Sequence, residues 1–536
     1  MKAEKNTSDR VLRVAWWVLF GVVATSAVLI RIRLLALPLE RDEGEYAYAG
    51  QLMLQGIPPY QLAYSMKFPG TYAAYALIMS IFGQTTVGVH LGLLVVNAAT
   101  VLLIFLLGRR LFGTTAGLAA GASYAVLSVS PAVLGFAGHA THFVVLPVLG
   151  GVWLLLGALD RPAVARLFAS GVLFGVAVLM KQSAIFFVLF GVLYLFCSDW
   201  RSRLNVGRKV LRGTALAAGT VLPFGVTCLL LWHAGVFEKF WFWTIQYARE
   251  YGTRLSISDA AQILASSVGD RIGSGWPIWA IAAAGLILCL WKLRFRPNAF
   301  LLAFLFFAVL AVCPGYYFRA HYFILVLPAV SLLVGVVVAG ATELCSRHLR
   351  PLRMVFPIVF AVSLSWPLFA ERDFFFTLSP DAASWRVYGA NPFRESVRIA
   401  SYLREHTDPN DTIAVLGSEP QIYFYANRRS ATGYIYVYGL MEPHQYAARM
   451  QQEMAQEIEA AHPKYVVFVA IGTSWLARPD SEHILMDWFN DYSARELKPA
   501  GYAGIHSADR TDYYLPYAAE SLTPTENYLT IWERKP

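Results

Sequence analysis

The residues best suited to chemistry stand in Arg41-Asp42-Glu43-Gly44-Glu45, where three carboxylates follow one guanidinium at the end of a long apolar stretch. Carboxylates set beside apolar surface are candidates for a raised pKa and a general-base role. The alternative is a solvated start of a loop. Lys67, in Tyr64-Ser65-Met66-Lys67-Phe68-Pro69-Gly70, reads either as a snorkelling interfacial lysine or as a point charge for a phosphate at the membrane surface. Pro314-Gly315-Tyr316-Tyr317-Phe318-Arg319-Ala320-His321-Tyr322 holds a second cation, and the Arg319 fork matches two phosphate oxygens. Its tyrosines equally suit an aromatic belt. Lys181 interrupts two apolar runs at Met180-Lys181-Gln182, a weak signal on its own. His139 and His142, in Gly138-His139-Ala140-Thr141-His142, are a conceivable metal pair, but no carboxylate or Cys stands beside them.

These residues sit in an apolar chain. Of 536 residues, 57% are hydrophobic and 15% charged, against ~45–50% and ~25% in a soluble domain. Five Cys exclude a disulfide scaffold, and 14% aromatic residues exclude disorder. The net charge of +9 suggests nucleic acid until it is divided. Residues 1–370 carry 29 Lys+Arg against 13 Asp+Glu, and residues 371–536 carry 15 against 22. The basic share belongs to the apolar part, where the positive-inside rule accounts for it, and no nucleic-acid partner is expected.

Eleven stretches approach the ~20 apolar residues of a membrane helix: 11–30, 85–107, 114–132, 140–158, 166–180, 183–197, 213–233, 275–291, 299–313, 322–341 and 354–370. With the N-terminus inside, every inner loop is basic, the last through Arg347, Arg350 and Arg353. The charged hairpin features above then all face the outer side. Residues 40–84 read as short interfacial helices and 234–274 as a second outer loop rich in Trp and Tyr. Residues 371–536 read as an extracytoplasmic α/β domain. Its signals are strands at 411–417 and 464–470, a short helix at 419–429 and a longer one at 443–461. Ser418 and Glu419 read as a helix cap with an acidic first turn. The fold expected is a polytopic α-helical membrane domain over 1–370 with a C-terminal α/β domain over 371–536.

Asp42-Glu43-Gly44-Glu45-Tyr46-Ala47-Tyr48-Ala49 resembles the Asp-Glu motif in the first outer loop of the GT-C glycosyltransferases. The branch is that of protein O-mannosyltransferases and lipid A aminoarabinose transferases, glycosyltransferase family 39 and its bacterial relatives. The Gly56 to Tyr60 break and Lys67-Phe68-Pro69 are similar to that family's Lys-Pro element, and 314–328 resembles its late Arg/Tyr element. The resemblance covers roughly residues 10–370. It implies a polyprenyl-phosphate-linked sugar donor and inverting transfer to a lipid, glycan or protein hydroxyl. The location implied is the non-cytoplasmic face of a membrane; the short form and the type of tail point to a bacterial inner membrane.

By the resemblance, Asp42 is the general base and Glu43 orients the acceptor or supports Asp42. Lys67 binds the donor phosphate, helped by Arg319 and Lys181. Glu45, Tyr64, His139 and His142 are substrate- or acceptor-side candidates, with Tyr317, His321 and Tyr322. No cofactor is required; a divalent cation is possible but not expected. Relatives often carry a second acidic residue where this chain has His139 and His142, so His139 is the candidate replacement. Rival readings are a lipid-linked-substrate transporter or flippase, whose charges should line a path through the midplane, and a non-catalytic membrane scaffold.

Overall fold

The structure is a computed structural model that describes residues 2–161, 163–252, 256–348, 354–518 and 522–536. Arg350 and Arg353, counted above among the basic loop residues, lie outside the described residues. All eleven apolar stretches are helical, from Lys2–Arg33 through Thr86–Phe112 and Ala140–Asp160 to Leu327–His348 and Val355–Ala370. Seven helical segments among the described residues are long and apolar enough to cross a membrane, and Val164–Met180, Arg296–Val312 and Val355–Ala370 are shorter apolar helices. The stretch expected at 114–132 is shorter than it reads. Its helix, Thr114–Leu127, has 14 residues. Pro131 holds Ser130 in extended backbone, and the Ser130 hydroxyl caps a 3-10 turn at Pro131–Val133. Large apolar side chains stand exposed along the other helices, among them Val221, Leu229, Trp232, Ile287 and Trp291. Such a surface needs lipid rather than water around it.

The chain divides into two compact units. One comprises Met1–Leu35, His90–Leu229 and Tyr251–Thr377, the other Ala36–Val89, Leu230–Glu250 and Leu378–Pro536. Among the described residues, every element of the first is a helix. Its core interleaves small residues such as Ala119, Ala120 and Ala329 with Leu149, Phe174, Phe304 and Leu333, the composition that lets helix backbones approach in lipid.

The second unit contains a six-stranded sheet: β1 Thr412–Leu416, β2 Arg429–Ser430, β3 Tyr465–Ala470, β4 Leu497–Ile505, β5 Thr511–Tyr514 and β6 Asn527–Arg534. The strand order is β2-β1-β3-β6-β4-β5. β1 pairs parallel with β2 and β3, whereas β6 runs antiparallel to β3 and β4. The helix Ala447–Ala461 crosses between β1 and β3 and buries Met450, Met454 and Ile458 in a core with Leu416 and Val466. This is the strand–helix–strand signal of the sequence, extended by an antiparallel half.

Two helices from the 40–84 region belong to this same unit, Arg41–Leu54 and Gly70–Phe82. The first begins with a capping box: the Glu40 carboxylate accepts from Glu43 N, and the Glu43 carboxylate accepts from Glu40 N. It lies against the helix Gln421–Ala426. The Tyr48 and Tyr423 rings are 5.1 Å apart, and the Tyr48 hydroxyl accepts from Ser430 N at 2.7 Å. At Gly44 the backbones nearly touch. A β-carbon there would fall 2.6 Å from Gln421 N and 2.9 Å from its Cα. Only glycine permits this approach. Gly44→Ala is therefore expected to destabilise the unit by about 1–3 kcal/mol, measured as a lower unfolding midpoint of the purified protein.

Candidate functional site

Asp42 and Glu45, three residues apart, share one face of the Arg41–Leu54 helix. The chain then turns back through Tyr60, whose φ is +67°, and the Tyr60 hydroxyl donates to Lys67 O at 2.8 Å. This places the Lys67 ammonium between the two carboxylates, donating to Asp42 Oδ1 at 2.8 Å and to Glu45 Oε2 at 2.6 Å. The other Glu45 oxygen accepts from the Tyr72 hydroxyl at 2.7 Å. Glu45 is buried, while Asp42 is 18% exposed and Lys67 26%, so Asp42 and Lys67 form the accessible edge of the cluster. Lys67 Nζ also lies over the Tyr46 ring at 4.6 Å and the Tyr436 ring at 5.6 Å. Burial alone would depress the lysine pKa, but Asp42 and Glu45 more than reverse that and hold it well above 10.5. Burial, then the Asp42 charge, push the Tyr436 phenol up.

Arg41 turns away from this cluster into a buried nest. Its Nη2 donates to Glu419 Oε1 at 2.6 Å and to Asn391 Oδ1 at 3.0 Å, its Nε to Ser418 O at 2.6 Å, and its Nη1 to the Tyr438 hydroxyl at 2.7 Å. The guanidinium also lies over the rings of Phe393 and Tyr438. Glu419 is fully buried, and its second oxygen accepts from Ser474 Oγ. Burial would lower the Arg41 pKa, yet Glu419 and the two phenols raise it, so the guanidinium stays charged. Removing one member of such a pair strands the other, at a cost of about 3–5 kcal/mol.

The cap expected at Ser418-Glu419 is thus corrected. The helix starts at Gln421 behind Pro420, the Ser418 hydroxyl accepts from Val437 N, and Glu419 is an ion-pair partner rather than an exposed first-turn acid. Glu43 lies on the same helix, where its carboxylate closes the capping box. The Tyr64 hydroxyl donates to Glu457 at 2.8 Å and accepts from Lys239 Nζ at 2.7 Å. The Tyr64 ring stacks on Trp243 at 5.5 Å and fills the space over Gly433, whose β-carbon would meet it at 2.2 Å. This is an anchor between three segments of the unit.

The remaining candidates belong to the first unit, where three of the sequence features meet. The His139 and His321 rings stack at 4.0 Å with planes 11° apart. Lys181 Nζ sits 3.5 Å over the Tyr322 ring, and Arg319 lies 5.6 Å over Tyr317. The loop carrying Arg319 holds Tyr316 at φ +60° and Phe318 at φ +43°. Left-handed backbone at such residues costs on the order of 1–3 kcal/mol each and persists where surroundings enforce it. His139 precedes the helix Ala140–Asp160 and its ring partner is His321, while His142 is buried in that helix's first turn.

Sequence reasoning missed Tyr434, Tyr436 and Tyr438 of the second unit. They lie on the stretch that leads into the helix Tyr438–Met441, and reach Tyr64, Lys67 and Arg41 respectively. The signal was Gly-Tyr-Ile-Tyr-Val-Tyr at 433–438, a period of two.

The family described as dolichyl-phosphate-mannose-protein mannosyltransferase matches residues 67–227. No curated protein matches the chain. Among solved structures it is similar to ArnT from Cupriavidus metallidurans bound to undecaprenyl phosphate, at 15% identity and a TM-score of 0.56 over 95% of this chain and 99% of that one. The apo state of the same enzyme gives 15% and 0.55 over 96% and 100%. The archaeal oligosaccharyltransferase AglB from Archaeoglobus fulgidus, in complex with an inhibitory peptide and a dolichol-phosphate, gives 14% and 0.51 over 94% and 75%. At these identities the likeness is one of fold. The polytopic architecture with a C-terminal domain, expected from the sequence, is the architecture found.

The Lys67 cluster has a testable pH signature. A lysine whose pKa is raised on folding stabilises the protein below its unfolded pKa, and that contribution is lost as pH rises through the folded value. Lys67→Met is expected to lower stability by about 1–3 kcal/mol. The gap should be constant between about pH 7 and 10 and close only above that, as followed by thermal unfolding across pH.

Proposed function

We propose that the protein is a membrane glycosyltransferase. It moves a sugar from a polyprenyl-phosphate-linked donor to an acceptor hydroxyl on the non-cytoplasmic face of a bacterial inner membrane. The observation that carries this reading is the contact of Lys67 with Asp42. A carboxylate able to take a proton and a cation able to meet a phosphate stand 2.8 Å apart at the accessible edge of an otherwise buried cluster. The fold shared with ArnT and AglB, whose solved forms hold undecaprenyl phosphate and a dolichol-phosphate, supports the choice of carrier. So does the family match that begins at Lys67.

In this reading the acceptor oxygen attacks the anomeric carbon while Asp42 takes its proton. The bond from that carbon to the phosphate oxygen breaks, and the polyprenyl phosphate leaves with the electron pair. A single displacement inverts the anomeric centre. An ammonium has three N–H donors, and two of those on Lys67 serve Asp42 and Glu45. The third would meet the departing phosphate, where preorganised charge stabilises what develops in the transition state. Arg319 and Lys181 are the further phosphate-binding candidates, and a divalent cation is not required for this step. Glu45, held by Tyr72, fixes the lysine. His139, His142, His321, Tyr317 and Tyr322 remain substrate- or acceptor-side candidates.

Two measurements test the reading. Asp42→Asn should lower transfer by about 10²–10⁴-fold while leaving folding and donor binding intact. A short-chain polyprenyl phosphate should raise the unfolding temperature of the wild type, since a ligand that binds only the folded state stabilises it, and should do so less or not at all in Lys67→Ala. Full transfer by Asp42→Asn would overturn the assignment of the base. A folded wild type that gains no stability from the lipid would favour the transporter or scaffold reading.

A further inference from the structure

The capping, the close approach at Gly44 and the nest around Arg41 all act on the first turn of one helix, the turn that carries Asp42. Glu419 comes from the β1–helix connection nearly 380 residues later. It is fully shielded from water, with one oxygen on Arg41 and the other on Ser474. The four guanidinium contacts are to Ser418, Glu419, Asn391 and Tyr438, all within residues 378–536. A fork bound at every nitrogen cannot rotate without breaking charge-assisted bonds, and the Arg41 backbone is one peptide from that of Asp42. The tail also contributes Tyr436, whose ring faces Lys67.

We propose that Glu419 is a positioning residue for the transfer reaction. By locking and neutralising Arg41, it fixes the direction of Asp42 and keeps an uncompensated positive charge from lowering the basicity of that carboxylate. The C-terminal segment is then an integral part of the catalytic site. This assignment rests on the glycosyltransferase reading, with Asp42 as base.

Two effects follow and can be separated. Glu419→Gln keeps shape but leaves the Arg41 charge unbalanced beside Asp42. A cation within several ångströms, at an effective dielectric near 20, is worth on the order of one pH unit to a neighbouring carboxylate. The acid limb of the kcat/KM–pH profile should therefore move down by about one unit, and kcat should fall by about tenfold or more, as misplacement of a reacting group does. Arg41→Lys keeps the charge and loses the fork, so it should lower kcat without moving the acid limb. Ser474→Ala, which removes the second partner of Glu419 and the acceptor of the Ser418 N–H, should act in the same direction as Glu419→Gln but more weakly, and it serves if the latter fails to fold.

The control is Tyr502→Ala. It removes a buried ring on β4 packed against Tyr514 and Tyr528, none of which binds Arg41. It should cost stability and leave the profile in place. If Glu419→Gln and Ser474→Ala match this control, with the acid limb unmoved and turnover near wild type, the assignment of Glu419 is overturned while the functional reading stands. A wild type with neither turnover nor lipid-phosphate binding overturns the reading itself and this assignment with it.

Discussion

A guanidinium and a carboxylate that are both shut away from water hold each other in place, because separating them exposes each to an apolar medium that cannot solvate it. Arg41 and Glu419 stand in that relation. The geometry of the second unit follows from it. With Arg41 fixed, the helix it opens has one orientation, and Gly44 lets that helix settle directly on the backbone of Gln421. Asp42 and Glu45 then project from one face of that helix, and Lys67 is bound between them. Each contact is modest alone. Together they preorganise charges that would otherwise pay for their ordering whenever a substrate arrived.

The charges are also graded by access to water. Glu45 and Glu419 are buried and fully engaged, and serve to hold cations. Asp42 and Lys67 reach the edge. The same residue types thus differ according to burial, and one short acidic run provides both a buried frame and an accessible carboxylate. Tyr434, Tyr436 and Tyr438 divide in a similar way, one packing against Tyr64, one facing Lys67 and one binding Arg41.

The first unit solves a different problem. Most of its helices must satisfy lipid on one side and neighbours on the other, and His139, Lys181, Arg319 and His321 stand at or beside helix ends. His139 meets His321 and Lys181 meets Tyr322 there, each pair bringing together loops far apart in sequence. The left-handed residues of the 314–319 loop show that the position of Arg319 is enforced by its surroundings rather than by local preference.

What the sequence by itself determined was whatever depends on local composition and period. Apolar runs near membrane length became helices because a helix pairs its backbone groups within one segment, as lipid requires. The strands β1 and β3, and the helix between them, were legible because Thr412–Leu416 and Tyr465–Ala470 are short apolar runs bounded by polar segments. The Asp42 to Lys67 elements were legible as chemistry because charged residues beside apolar ones are rare. The antiparallel half of the sheet was not, since β4 contains Pro499, Gly501 and Gly504, and β6 pairs with β3 past the intervening β4 and β5. Only the tertiary structure decided which charges meet. Glu419 read as an ordinary helix-start acid, and Tyr64 as a substrate-side phenol. The first is the buried partner of Arg41, and the second is an anchor held by Glu457 and Lys239. A side chain's type is written in the sequence, but its partner is set by which distant backbone packs within a few ångströms, and no local pattern records that distance.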